Sequence, residues 1–210
     1  MHPHTTVAPE PARVGVFGGT FDPIHCGHLA AALAARDALH LDEVLLVVAN
    51  DPWKKSLREI APAADRLALV EAAVEGEYRL VACDAEIVRG GTSYTVDTLD
   101  QLSRSMPGAR LFLIVGTDIL NEMESWERSE RLSELAKVAV ITRAGSSPPA
   151  GAIARWRAEV VWAETPDVSS TAIREKLRSG AAAEGLVPPP VSALIASRGL
   201  YGVDPKLMRR

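Results

Sequence analysis

The chain has 210 residues and a mass of 22.5 kDa, enough for one domain of ordinary size and too little for a second catalytic domain. With 47% hydrophobic and 24% charged residues it matches the soluble globular average, which excludes disordered, fibrous and collagen-like classes. A net charge of -4 and a pI near 5.8 give no global field for polyanions, so large nucleic acids are poor partners and phosphate chemistry needs a local site.

In chain order, residues 1–12 carry several prolines and no apolar stretch of the kind a secretory signal needs, and they read as a frayed tail. A strand at Val14–Phe17 is followed by a helix from His28 to Leu39, whose Leu29, Ala30, Leu33, Ala34 and Ala38 share a stripe. Next come a strand at Val44–Val48, a helix from Ala64 to Val74 and a strand at Arg79–Cys83. A helix starting near Thr95 and running through Leu102 precedes strands at Leu111–Val115, Val138–Ile141 and Val160–Trp162. Arg143 to Gly151 is rich in Gly, Ser and Pro and predicts a long loop or hinge. Residues 164–210 form a short C-terminal helical part, with Pro188-Pro189-Pro190 leading into a helix at Val191–Ser197. This alternation predicts an α/β fold, a Rossmann-like parallel sheet with crossover helices, in a single domain over 13–210. Near-continuous aliphatic runs such as Leu-Phe-Leu-Ile-Val at 111–115 suit strands buried on both faces. Cys26 and Cys83 lie far apart without Cys-x-x-Cys spacing, and no apolar run approaches the roughly 18 residues of a membrane span. A soluble cytoplasmic protein is the expectation, with no membrane or nucleic-acid partner, and a homo-oligomer is left open.

The segment after the first strand carries the chemistry. Phosphates are favoured where a strand ends and a helix begins, because the first helical N–H groups are free and the dipole is positive there. Gly18 and Gly19 remove side chains so that phosphate oxygens can approach the backbone, and Thr20 offers a hydroxyl. His25 and His28, three apart, share a face of a helical turn, and Gly27 keeps the space between them open. Neither Gly-Lys-Ser/Thr nor Gly-x-Gly-x-x-Gly is present, so this is not a P-loop or a dinucleotide fingerprint. Taken singly, the glycines can be a plain strand-to-helix turn. Ser169-Ser170-Thr171 can cap a helix, but Ile173 and Arg174 occupy the places where a capping box wants Glu or Gln, and Arg174 in a first turn opposes the dipole unless an anion sits there. Cys26, beside a helix N-terminus, is placed for a lowered thiol pKa, yet nothing marks it as a nucleophile.

The stretch from Gly18 to His28, Gly-Gly-Thr-Phe-Asp-Pro-Ile-His-Cys-Gly-His, resembles the signature of the His-x-Gly-His nucleotidyltransferase superfamily, and within it the bacterial nicotinate-nucleotide adenylyltransferases. The likeness runs from Val14 to about Tyr201. It implies ATP contacts from Gly18, Gly19, Thr20, Phe21, His25 and His28, with the histidines as donors in an electrostatic clamp on the transferred phosphoryl group. Val168 to Arg174 resembles the family's second ATP motif, which adds Ser169, Ser170, Thr171 and Arg174. Asn50 to Lys55 resembles its Pro-x-x-Lys loop, with Lys55 as a phosphate contact. Gly90 to Leu99 looks like the pyridine-side loop, where Thr92, Tyr94 and Thr95 stand and backbone amides read the nicotinate carboxylate. Gly116 and Asp118 match a Gly-x-Asp position near both substrates, and Trp126 matches an indole suited to stacking a pyridine ring. Arg143 matches a position near the nucleotide, although it can equally be a surface residue.

The resemblance implies adenylyl transfer from ATP to nicotinate mononucleotide, giving nicotinate adenine dinucleotide and pyrophosphate in NAD biosynthesis. His25, His28, Lys55 and Arg174 are the implied catalytic set. Mg²⁺ is expected on the ATP phosphates without a dedicated protein site, with Asp22 and Asp118 as indirect partners. Nicotinamide mononucleotide and phosphopantetheine are rival acceptors, and an ATP-binding module without turnover is the rival from a different class.

Overall fold

The computed structural model describes residues 10–52, 60–143 and 145–204. The aliphatic runs form six strands: β1 (Arg13–Gly19), β2 (Glu43–Val48), β3 (Leu80–Cys83), β4 (Arg110–Gly116), β5 (Lys137–Thr142) and β6 (Glu159–Trp162). They pair in parallel in the order β3-β2-β1-β4-β5-β6. The sheet is the Rossmann-like α/β arrangement that the alternation predicts. Alternate strand residues face opposite layers. Val44, Leu46, Phe112 and Ile114 pack beneath α1 (Cys26–Ala38), α2 (Ala63–Val74) and the C-terminal helices. Val14, Val16, Leu45, Leu113 and Val138 pack on the other face against Leu99, Met123, Leu132 and Trp156. β1 is flanked by β2 on one side and β4 on the other, so the crossovers diverge there and leave a crevice at the carboxyl ends.

Several boundaries depart from the expected ones. β1 extends to Gly19 because Gly18 and Gly19 still pair with Val47 and Val48, so the two glycines end the strand instead of forming a loop after it. α1 starts at Cys26 and not at His28, with His25 as its N-cap. Arg79 lies outside β3 at φ 65, a left-handed conformation that a ladder does not accommodate. The Gly/Pro-rich loop ends earlier than expected, since Ala150 and Gly151 already belong to α7 (Ala150–Trp156). Short helices α3 (Ala85–Arg89), α5 (Thr117–Leu120) and α6 (Leu132–Leu135) escape sequence periodicity because each is about one turn long.

The C-terminal part contains α8 (Ser170–Arg178), α9 (Pro189–Arg198) and a 3-10 turn at Leu200–Gly202. α9 begins two residues before the expected Val191, because proline at a first helical turn gives up only an N–H that would be unpaired anyway. Ile173, Val187, Val191 and Ile195 join the core on the α1 side, and the Cys26 N–H donates to the Leu186 carbonyl at 2.9 Å. Among the described residues, no helix is long and apolar enough to cross a membrane.

Candidate active site

Two adjoining cavities of about 480 and 490 Å³ open at the carboxyl ends of the strands and share Phe17, His28, Gly116 and Asp118. The first lies between the start of α1 and the ends of β4 and β5, where Gly27, Thr117, Thr142 and Arg143 line it. The second lies on the β2 side and is lined by Gly18, Gly19, Thr20, Phe21, Ser93, Thr95 and Trp126. His28 and Asp118 therefore stand where the two meet.

Local chain geometry aims the imidazoles. His25 caps α1 with extended backbone, and its N–H donates to His28 Nδ1 at 3.2 Å. That bond makes Nδ1 of His28 an acceptor and puts its ring proton on Nε2. The two rings stack at 3.6 Å with an interplanar angle of 22°, a separation that disfavours two simultaneous positive charges. His25 is 6% exposed, and burial lowers its pKa to about 4, so it is neutral at pH 7. His25 therefore meets His28 as a neutral imidazole. Gly27 does not hold a space open between the histidines, whose rings are stacked; it makes room instead between His25 and the C-terminal part, since a Cβ there would stand 3.1 Å from both His25 Nδ1 and Val168 Cγ1. Burial pushes the Cys26 thiol pKa up, opposite to the lowering its helix position suggested.

The turn from Thr20 to Pro23 is held from behind by buried side chains. Arg66, 1% exposed, donates to the carbonyls of Thr20 (2.8 Å), Ala61 (2.8 Å) and Asn50 (3.1 Å), tying the ends of β1 and β2 to the start of α2. The Asp22 carboxylate accepts the Tyr201 hydroxyl at 2.9 Å and the Ala61 N–H at 3.2 Å. Arg174 donates to the Asp22 carbonyl at 2.6 Å and approaches its carboxylate at 3.6 Å, while the Ser170 hydroxyl donates to the Pro23 carbonyl at 2.9 Å. Asp22, 3% exposed, is thus taken up inside the protein and is not placed to serve a metal, even indirectly. Ser169, the first of the three hydroxyl residues expected to cap a helix here, is the cap of α8 and accepts the Ala172 N–H. Arg174 consequently falls in the second turn of that helix, not the first.

On the β2 side, the Ser93 hydroxyl accepts the Asn50 N–H at 2.9 Å and Thr92 bridges to Asp51, which draws the 90–95 loop against the end of β2. Tyr94 is the N-cap of α4 (Thr95–Ser105), so Thr95 is its first residue rather than its cap. Of the expected residues, Gly18, Gly19, Thr20, Phe21, His25, His28, Thr95, Gly116, Asp118, Trp126 and Ser170 line one or both cavities. Thr92, Tyr94, Ser169, Thr171 and Arg174 are not among the residues that line either cavity, and Ser169 and Thr171 are exposed at the start of α8. Lys55, with Trp53 and Lys54, lies outside the described residues. Arg143 lines the first cavity and pairs with Asp167 at 2.8 Å. Arg66, Glu86 and Tyr201 were missed because each reads in sequence as an ordinary helix or tail residue. An arginine inside the apolar stripe of a helix, between Ala63 and Leu69, was the one available signal.

Fold and site define a nucleotidyl-transferring α/β protein, since the cavity-lining glycines end a strand and imidazoles, not a P-loop lysine, begin the helix behind them. Residues 16–176 match the family model described as Cytidylyltransferase-like. A Bordetella pertussis protein named as a probable nicotinate-nucleotide adenylyltransferase is 40% identical over 199 residues, 90% of this chain and 98% of its own length. One of the same name from Corynebacterium glutamicum is 37% identical over 200 residues, 94% of this chain and 92% of its own. The solved Plasmodium falciparum nicotinic acid mononucleotide adenylyltransferase complexed with NaAD shares the fold, with a TM-score of 0.77 over 92% of this chain and 98% of that one at 15% identity. The chain belongs to the cytidylyltransferase-like family, among the nicotinate-nucleotide adenylyltransferases.

Proposed function

We propose that this protein transfers the adenylyl group of ATP to nicotinate mononucleotide, forming nicotinate adenine dinucleotide and pyrophosphate in NAD biosynthesis. The carrying observation is the pair of similar-sized cavities that meet at His28 and Asp118, as two nucleotides joining at one phosphorus require. An oxygen of the mononucleotide 5′-phosphate attacks the α-phosphorus of ATP in line, a new P–O bond forms, and the bond to the bridging oxygen breaks with release of pyrophosphate. The attacking phosphate is already ionised at neutral pH, so positioning and charge stabilisation suffice and no general base is needed. His28 donates its Nε2–H to oxygens that gain charge in the transition state, and His25, neutral and stacked on it, fixes that ring. ATP lies in the first cavity, against the α1 N-terminus at His25 and Gly27 and against Thr117, and its phosphates cross the junction at His28, Gly116 and Asp118 to reach Gly18, Gly19 and Thr20. The mononucleotide lies against Ser93, Thr95 and Trp126, with Lys55 as a phosphate contact. Arg174 and Ser170 support the turn through the Asp22 and Pro23 carbonyls, and Ser169 and Thr171 stand beside them at the start of α8.

The donor set at the junction fits a magnesium ion carried by ATP. Asp118 is exposed there as a single carboxylate, and among the described residues no group of three or more His, Cys, Asp or Glu could hold a metal. Mg²⁺ prefers water and phosphate oxygens to an all-protein cage, and when bound it offsets triphosphate charge. The test is Mg²⁺-dependent pyrophosphate release with nicotinate mononucleotide, nicotinamide mononucleotide and phosphopantetheine supplied separately. A strong preference for the first is expected. Turnover only with another acceptor overturns the pyridine-side reading, and turnover with none overturns the reaction.

A further inference from the structure

The wall of the β2-side cavity carries a carboxylate that the reaction as described does not use. Glu86, in α3, is 6% exposed and lines that cavity together with Thr95, Thr98 and Trp126. Its Oε1 accepts the Thr98 hydroxyl proton at 2.5 Å, which fixes the carboxylate against the first turn of α4. Among the described residues no cation pairs with it directly: Arg89 reaches it through Thr98, donating to that hydroxyl and to Gln101, and Arg66, which acts on Glu86 through space, gives its donors to three backbone carbonyls. A nine-tenths buried carboxylate on a ligand cavity, with no direct ion pair, gains from a ligand that brings positive charge.

We infer that Glu86 is a specificity-determining residue that supplies the counter-charge for a cationic pyridinium ring in the acceptor. The inference rests on the proposed reaction, whose acceptor carries a ring that is positive at its nitrogen and negative at its carboxylate. The cavity wall has the matching polarity. Thr95 begins an 11-residue helix whose N-terminus has no side-chain cap, and its positive end suits the ring carboxylate. Glu86 stands on the same wall to face the ring nitrogen, and Thr98 links the two by bonding Glu86 from the fourth residue of that helix.

The test compares nicotinate mononucleotide with its 1,4-dihydro form, which keeps the carboxylate, ribose and phosphate but has an uncharged ring. Wild-type turnover of nicotinate mononucleotide is measured first, and its absence defeats the proposed reaction and this inference together. With turnover established, the wild type is expected to bind the charged-ring form about tenfold more tightly than the dihydro form, the scale of one partly solvated charge pair. Glu86→Gln should abolish that difference by weakening only the charged form, with the KM for ATP unchanged, and Glu86→Asp should restore part of it. Equal wild-type binding of the two forms, or an equal loss of both in Glu86→Gln, overturns the assignment. The wild-type comparison stands even if the Gln variant does not fold.

Discussion

The adjacent glycines at the end of β1 look interchangeable in sequence but answer to different constraints. An alanine Cβ at position 19 would stand 2.8 Å from Phe21 Cζ and 2.9 Å from Cε1, well inside ordinary contact. The Phe21 ring cannot simply move away, because it is 2% exposed and packs edge-on against Phe17 at 6.0 Å and His28 at 5.1 Å between centroids. Gly19→Ala is therefore an overpacking substitution, expected to cost about 1–3 kcal/mol and to lower Tm by roughly 2–10 °C for a chain of this size. It should also disturb His28 through the displaced ring. At position 18 a Cβ meets nothing within 4 Å and projects where the cavity lies open. Gly18→Ala should leave Tm within about 2 °C while lowering kcat/KM by on the order of 10–100-fold, because the methyl occupies space meant for phosphate. Calorimetry and pyrophosphate release on the same preparations separate the two. Equal destabilisation by both substitutions, or full activity in Gly18→Ala, refutes the reasoning.

His28→Ala should lower kcat by about two to three orders of magnitude, the scale of one lost transition-state donor, and near-normal turnover removes it from the clamp. Trp126→Ala should raise the KM for nicotinate mononucleotide and leave that for ATP nearly unchanged, whereas an equal effect on both contradicts stacking. Tyr201→Phe takes a donor from the buried Asp22 carboxylate and should cost about 1–2 kcal/mol in urea unfolding, with an unchanged midpoint as the contrary result. His25 has a folded pKa near 4 against 6.5 when exposed, so the unfolded chain takes up the proton first. Its contribution is complete above pH 6.5, is lost as the pH falls toward 4, and amounts to at most about 3 kcal/mol. His25→Asn should flatten that part of the stability profile, and an unaltered slope assigns the loss to other groups.

The sheet was legible because its inner strands β2, β4 and β5 are short aliphatic runs buried on both faces, a pattern few other folds tolerate, while the edge strands β3 and β6 leave Val81, Val160 and Trp162 exposed. The signature turn was legible because Gly-Gly followed by His-x-Gly-His has few structural explanations. What sequence could not convey was contact between distant segments. Arg174 reads as a helix-start cation waiting for an anion, but the fold brings the Asp22 carbonyl to it across 152 positions. Glu86 sits in a five-residue helix too short for any periodicity, and its burial depends on α4 folding over it. Boundary errors at Gly18-Gly19 and His25 share one cause, since a parallel ladder and a capping backbone extend elements past the last apolar residue.

The bond from Tyr201 to Asp22 joins residues 179 apart, with the Arg174 and Ser170 contacts spanning nearly as much of the chain. The turn that carries the signature, made early during synthesis, therefore acquires part of its backing almost last. A chain that stops before Ser170 carries the complete signature without the Ser170, Arg174 and Tyr201 contacts, and one that stops before Tyr201 still lacks the donor to the Asp22 carboxylate. Such contacts are formed late and slowly in folding, because the loop they close is nearly the whole protein. The shape of the signature turn is thus tied to the far end of the chain, and its full set of supports exists only once Tyr201 is in place.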